Sequence, residues 1–118
     1  MPFIVSRVNI ETTREQKIAI KEGIGTLIEL IPGKTEERVV LALEDSIFLA
    51  AAGNCDEPIA FIEVNVLNHR HHAGFDLFAQ SVTELYGKIL GIPAKNVYIK
   101  FMDMPGISRN GTWQEEGQ

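Results

Sequence analysis

The sequence predicts an α/β (α+β) fold of two β-α-β repeats that share one four-stranded sheet, with both helices on one face. Three observations predict it. β-rich runs alternate with segments of helical apolar spacing in the order strand, helix, strand, and do so twice. The halves carry an echo, since Ile31-Pro32-Gly33-Lys34 returns sixty-one residues later as Ile92-Pro93-Ala94-Lys95. Right-handed crossovers then place each helix on the same face of a common sheet.

Each element has its own signal. Phe3 to Ile10 is β-rich and ends at Glu11-Thr12-Thr13. Ile20, Ile24, Leu27, Ile28 and Ile31 then recur at helical spacing, and Thr12 with Glu15 three residues on reads as a capping box. Pro32-Gly33 ends this helix. Arg38 to Leu43 is apolar on both faces, which predicts a buried second strand. A short run from Ile47 to Ala52 meets Gly53-Asn54, and Pro58 opens a third strand over Ile59 to Leu67. After a polar loop, Phe75, Phe78, Val82, Leu85, Tyr86 and Ile89 form one face of a second helix closed by Gly91 and Pro93. Val97 to Met102 is the last long strand. Because the helices cover only one face, the two-sided apolar strand implies cover from other copies of the chain.

The 118 residues are about one domain's worth, so a single domain over residues 1–118 is expected. With 45% apolar and 23% charged residues the body is globular rather than disordered. A formal net charge of −5 leaves no domain-wide basic footprint for nucleic acid. Cys55 is the single cysteine, so neither an internal disulfide nor a cysteine metal cluster is expected, and the cytoplasm is the default compartment. Apolar runs break well before eighteen residues and Arg7 interrupts the start, so neither a membrane span nor a signal peptide is expected. Export without a leader stays open.

Four motifs coincide: Met1-Pro2-Phe3-Ile4-Val5, Gly33-Lys34 after the first helix, Val97-Tyr98-Ile99, and Asn110-Gly111-Thr112-Trp113. Together they resemble the tautomerase superfamily, on its macrophage-migration-inhibitory-factor-like branch, over nearly the whole chain. The start of the first helix, Glu15-Gln16-Lys17, is also similar to 4-oxalocrotonate tautomerase. The resemblance implies a mixed sheet, a homotrimer, and keto–enol tautomerisation of a 2-keto acid such as phenylpyruvate, with no cofactor. Its catalytic base is the N-terminal proline, here Pro2 after loss of Met1.

The chemistry suits such a residue. A free N-terminal proline is a secondary amine, and it must be neutral to accept a proton. An ordinary α-amino group titrates near ~8, so the site has to lower its pKa. A lysine ammonium roughly 6 Å away at an effective dielectric of about 20 contributes about two pKa units. Lys34 stands at the family's lysine position, where it also binds the substrate carboxylate and stabilises the developing enol oxygen. By the same resemblance Leu67 offers a backbone N–H and an apolar wall. Tyr98 reaches the substrate ring across a subunit interface, and Trp113 supplies an aromatic lid. Lys100 and Arg38 replace an asparagine and a tyrosine of the mammalian factor, making the far end of the pocket more cationic. Lys34 and Lys100 would then bracket the substrate and suit dicarboxylic or acidic aromatic acids.

Ile59-Ala60-Phe61-Ile62 occupies the place of the mammalian Cys-x-x-Cys, which excludes thiol redox chemistry there. His69-Arg70-His71-His72 lacks a completing carboxylate or cysteine and reads as a solvated cationic loop, so no metal is expected. Related dehalogenases and decarboxylases carry an arginine pair where this chain has His69 and His72, and the water-activating acid has no equivalent. Hydrolytic dehalogenation is therefore disfavoured. The competing function class is a cytokine-like signalling protein whose trimer surface carries the activity. Turnover of phenylpyruvate enol, compared between intact protein and Pro2 variants, separates the two.

Overall fold

The computed structural model describes residues 1–67 and 71–115. Strands β1 (Phe3–Val8), β2 (Val40–Glu44), β3 (Ala60–Leu67) and β4 (Val97–Met104) form one sheet in the order β2-β1-β3-β4. The outer pairs β1–β2 and β3–β4 are parallel and the central pair β1–β3 is antiparallel, so two β-α-β units meet back to back. The expected mixed sheet of two repeats is therefore present. Helices α1 (Arg14–Leu27) and α2 (Phe75–Leu90) cover one face. No helix among the described residues is long and apolar enough to cross a membrane.

Alternation along the strands decides which side chains meet the helices. Ile4 and Val8 of β1 and Ile62, Val64 and Val66 of β3 pack against Ile20, Ile24 and Ile28 from the first helical segment, and Phe78, Val82 and Tyr86 of α2. The helices approach closely at Gly23, where a Cβ would stand 2.7 Å from Leu85 Cδ1. Within this core the hydroxyls of Ser6 and Tyr86 share a buried hydrogen bond of 2.6 Å.

Two local expectations are corrected. The cap of α1 is Thr13 rather than Thr12: its hydroxyl accepts the Gln16 N–H and the Gln16 side chain accepts the Thr13 N–H. Thr12 is taken up elsewhere, because its N–H and hydroxyl both donate to Asp45 Oδ2, at 2.9 and 2.7 Å. The second strand is also not buried in the single chain. It lies at the sheet edge, with Leu41 and Leu43 half-buried beneath the helices and Val40 and Ala42 exposed on the other face.

That open face is mixed in character. Val40, Tyr98 and Met102 are exposed there, while Arg7 bridges Glu44 at 3.0 Å and Glu63 at 3.4 Å, and Lys100 approaches Glu63 at 4.0 Å. One row of alternating charge thus crosses all four strands.

The chain after β4 is also regular. It forms a hairpin of β5 (Gly106–Arg109) and β6 (Thr112–Glu115) around Asn110-Gly111. Both turn residues have positive φ, 54° and 74°, the backbone of a two-residue hairpin turn.

Candidate active site

Pro2 immediately precedes β1 and is buried, and its carbonyl accepts the Val40 N–H at 3.0 Å. The antiparallel register pairs Phe3 with Asn65, which brings the chain start beside the C-terminal end of β3. A pocket of about 180 Å³ opens there, lined by Met1, Gly33, Lys34, Arg38, Leu67, Arg109 and Gln114.

Each lining residue arrives by a separate route. Gly33 has φ +80°, and the turn it makes lets the Lys34 N–H donate to the Ile31 carbonyl at 3.1 Å. The Lys34 side chain then crosses to β3, where Nζ donates to the Leu67 carbonyl at 2.9 Å. Arg38 ends a 3₁₀ turn over Glu36–Arg38 just ahead of β2. Arg109 and Gln114 come from the hairpin, on the face that carries the buried Ile107.

The pocket is strongly cationic, although the whole chain carries a net charge of −5. Among the described residues no carboxylate forms an ion pair with Lys34, Arg38 or Arg109. This environment pushes the N-terminal amine of Met1 down from 8.0 to about 6, by burial first and then by the charges of Lys34 and Arg38. Burial, followed by Arg38, also lowers Lys34. A neutral amine beside fixed cations can take a proton from an acidic C–H and hold an anion next to it.

The other expected site residues are not brought into this pocket by their own chain. Tyr98 pairs with Phe61 and Lys100 with Glu63, six and four residues before Leu67 on β3, hence roughly 20 and 13 Å away along the strand. Lys100 instead faces Glu63 and sits 5.9 Å from the Phe61 ring centroid. Trp113 projects from the opposite face of the hairpin, with its ring against Gly106 and its Nε1 donating to Glu115 at 2.9 Å.

His69 and Arg70 lie outside the described residues. His72 is 3.3 Å from Asp103 and stacks on Phe75. Arg109 and Gln114 were missed by sequence reasoning. The signal that could have found them is Asn110-Gly111, a hairpin dipeptide that turns the chain back after Arg109.

A family model described as macrophage migration inhibitory factor (MIF) matches residues 1–113. No curated protein sequence matches the chain. Among solved structures, MIF2 from Leishmania major superposes with a TM-score of 0.89 at 21% identity, covering 97% of each chain. The macrophage migration inhibitory factor homologue from Prochlorococcus marinus gives 0.82 at 25% identity, covering 94% of this chain and 97% of that one. A third neighbour, a protein inactivated by 2-oxo-3-pentynoate, gives 0.79 at 16% identity, covering 92% of each.

Proposed function

Since the chain belongs to the macrophage migration inhibitory factor family, we propose that it is a keto–enol tautomerase of 2-keto acids such as phenylpyruvate, with Pro2, freed of Met1, as general base. The observation that carries this reading is the chain start itself: the Met1 amine lies in a cationic pocket that lowers it to about 6. The same burial and neighbouring cations favour the neutral, basic form of a freed proline nitrogen.

In the keto-to-enol direction the proline nitrogen takes a proton from C3 of the acid. The electron pair of that C–H bond forms the C2=C3 double bond, and the oxygen on C2 receives the proton back. Lys34 holds the carboxylate and stabilises charge on the neighbouring oxygen as it develops. Leu67 supplies a backbone N–H and the apolar wall. The reaction needs no cofactor. The neighbour inactivated by 2-oxo-3-pentynoate, itself a 2-keto acid, is in keeping with this substrate class.

The active unit in this reading is a homotrimer. The open face supports it, because Val40, Tyr98 and Met102 are exposed there beside two unpaired strand edges. Tyr98 and Lys100, remote from their own chain's pocket, and Trp113, on the hairpin face turned away from it, then contribute to the pocket of a neighbouring subunit.

The test is the rate of phenylpyruvate enol ketonisation by intact protein and by Pro2→Ala and Pro2→Gly variants. The wild type should exceed buffer by orders of magnitude and both variants should fall steeply. A wild-type rate within a few-fold of buffer contradicts the proposal.

A further inference from the structure

We infer that Arg38 and Arg109 form a second anion-binding pole in the pocket, and that the acid it is built for is a short dicarboxylic 2-keto acid. This rests on the tautomerase reading for the reaction but not for the ligand's charge.

Three side-chain cations, Lys34, Arg38 and Arg109, line one pocket of about 180 Å³. Four cations outside the pocket, Arg7, Lys17, Lys95 and Lys100, each face a carboxylate within 4.0 Å. Among the described residues no acid lines the pocket wall, and Lys34 is lowered by burial first and then by the like charge of Arg38. A cluster of this kind is costly to the empty fold and is relieved by an anionic ligand.

One carboxylate does not satisfy the cluster. Lys34 already gives one N–H to the Leu67 carbonyl, leaving two donors, enough for the carboxylate beside the ketone. Arg38 and Arg109 enter from different elements, the turn before β2 and the hairpin, and each presents a planar fork suited to a carboxylate. The Gln114 amide on the same wall can take the remaining oxygen lone pair or orient the chain between the two groups. Among the described residues of one chain, apolar lining is sparse: beside Met1, only Leu67 contributes a large apolar side chain. Within one chain Lys100 lies on the open face, 4.0 Å from Glu63, so a Lys34–Lys100 bracket would need the Lys100 of a neighbouring subunit.

The experiment is calorimetric binding of unreactive acids of matched chain length, glutarate against pentanoate, to wild-type protein at low salt. Inorganic phosphate is titrated in parallel. Glutarate should bind at least about tenfold more tightly than pentanoate. That ratio should fall to about twofold in Arg109→Gln and in Arg38→Gln, while Arg109→Lys, which keeps charge but loses the fork, falls between. Lys95→Gln, remote from the pocket and paired with Glu57, is the charge control and should leave the ratio unchanged. No preference for glutarate, or a preference that survives both glutamine variants, overturns the inference. Tighter binding of phosphate than of glutarate overturns the dicarboxylate assignment. Because the readout is binding, a failed tautomerase assay with an intact glutarate preference would sink the proposed reaction and leave this inference standing.

Discussion

Lys34 Nζ donates to the backbone carbonyl of Leu67 at 2.9 Å, a bond that ties the turn after the first helical segment to the end of β3. It fixes a cation beside the start of the chain and positions two residues from opposite repeats against one pocket. Removing the ammonium removes both the proposed carboxylate partner and one of the charges that depress the N-terminal amine. Lys34→Ala should lower kcat/KM for every 2-keto acid by roughly 10- to 100-fold, the range for a hydrogen bond to a charged group. Its rate–pH profile should also move to higher pH. A variant with unchanged kcat/KM contradicts the assigned role.

Asp45 anchors the start of α1 from across the chain. It accepts from the Thr12 N–H and hydroxyl and pairs with Lys17 at 3.1 Å, and these bonds, led by the Thr12 hydroxyl, hold its carboxyl well below the usual 3.8. A depressed carboxylate stabilises the fold above its unfolded pKa, and that contribution is lost as pH falls through the folded value. Thermal midpoints measured from pH 7 to below pH 3 should therefore drop more steeply for wild type than for Asp45→Asn. Parallel curves would contradict this.

The Ser6–Tyr86 pair gives a prediction about stability alone. Burial pushes the Tyr86 phenol up to about 12, so it stays protonated and the bond between the hydroxyls persists across the ordinary pH range. Tyr86→Phe strands the Ser6 hydroxyl in the core and should cost roughly 1–3 kcal/mol in urea unfolding. The double variant Ser6→Ala/Tyr86→Phe removes both polar groups and should recover part of that loss. A double variant that loses the sum of the single changes contradicts the coupling.

Light scattering should report about three times the 13.1 kDa chain mass, because the open face and strand edges need cover and Tyr98 is remote from its own pocket. A stable, fully active monomer contradicts the shared site.

Long-range order was legible wherever one local pattern controlled it. The α2 face, its Gly91 end and the Gly33-Lys34 turn all follow from residues within a few positions of each other. Competition between neighbours was harder to see: Thr12 and Thr13 are both good caps, and only Asp45, brought up from thirty-three residues away, decides between them. The edge position of β2 depends on strand order, which its apolar composition does not encode, since an edge strand awaiting a partner and a central strand read alike. In the pocket, Lys34 and Leu67 were legible through the family resemblance. Arg109 and Gln114 were not, because a short hairpin folds them back from the tail.

The central claim is that the proline nitrogen is the base, and it is tested by one comparison. Protein beginning at Pro2 and protein retaining Met1, each verified by intact mass, are assayed on phenylpyruvate enol across pH. With Met1 attached, the proline nitrogen is an amide with no basic lone pair, the methionine lines the pocket, and its own amine is displaced by about one residue, ~3.8 Å. Misplacement of a catalytic group by as little as ~1 Å can cost about 100-fold. The processed form should therefore be active, with a rate that rises through a single ionisation below 8.0, and the Met1 form should remain within a few-fold of buffer. Equal rates for the two forms would show that Pro2 is not the base.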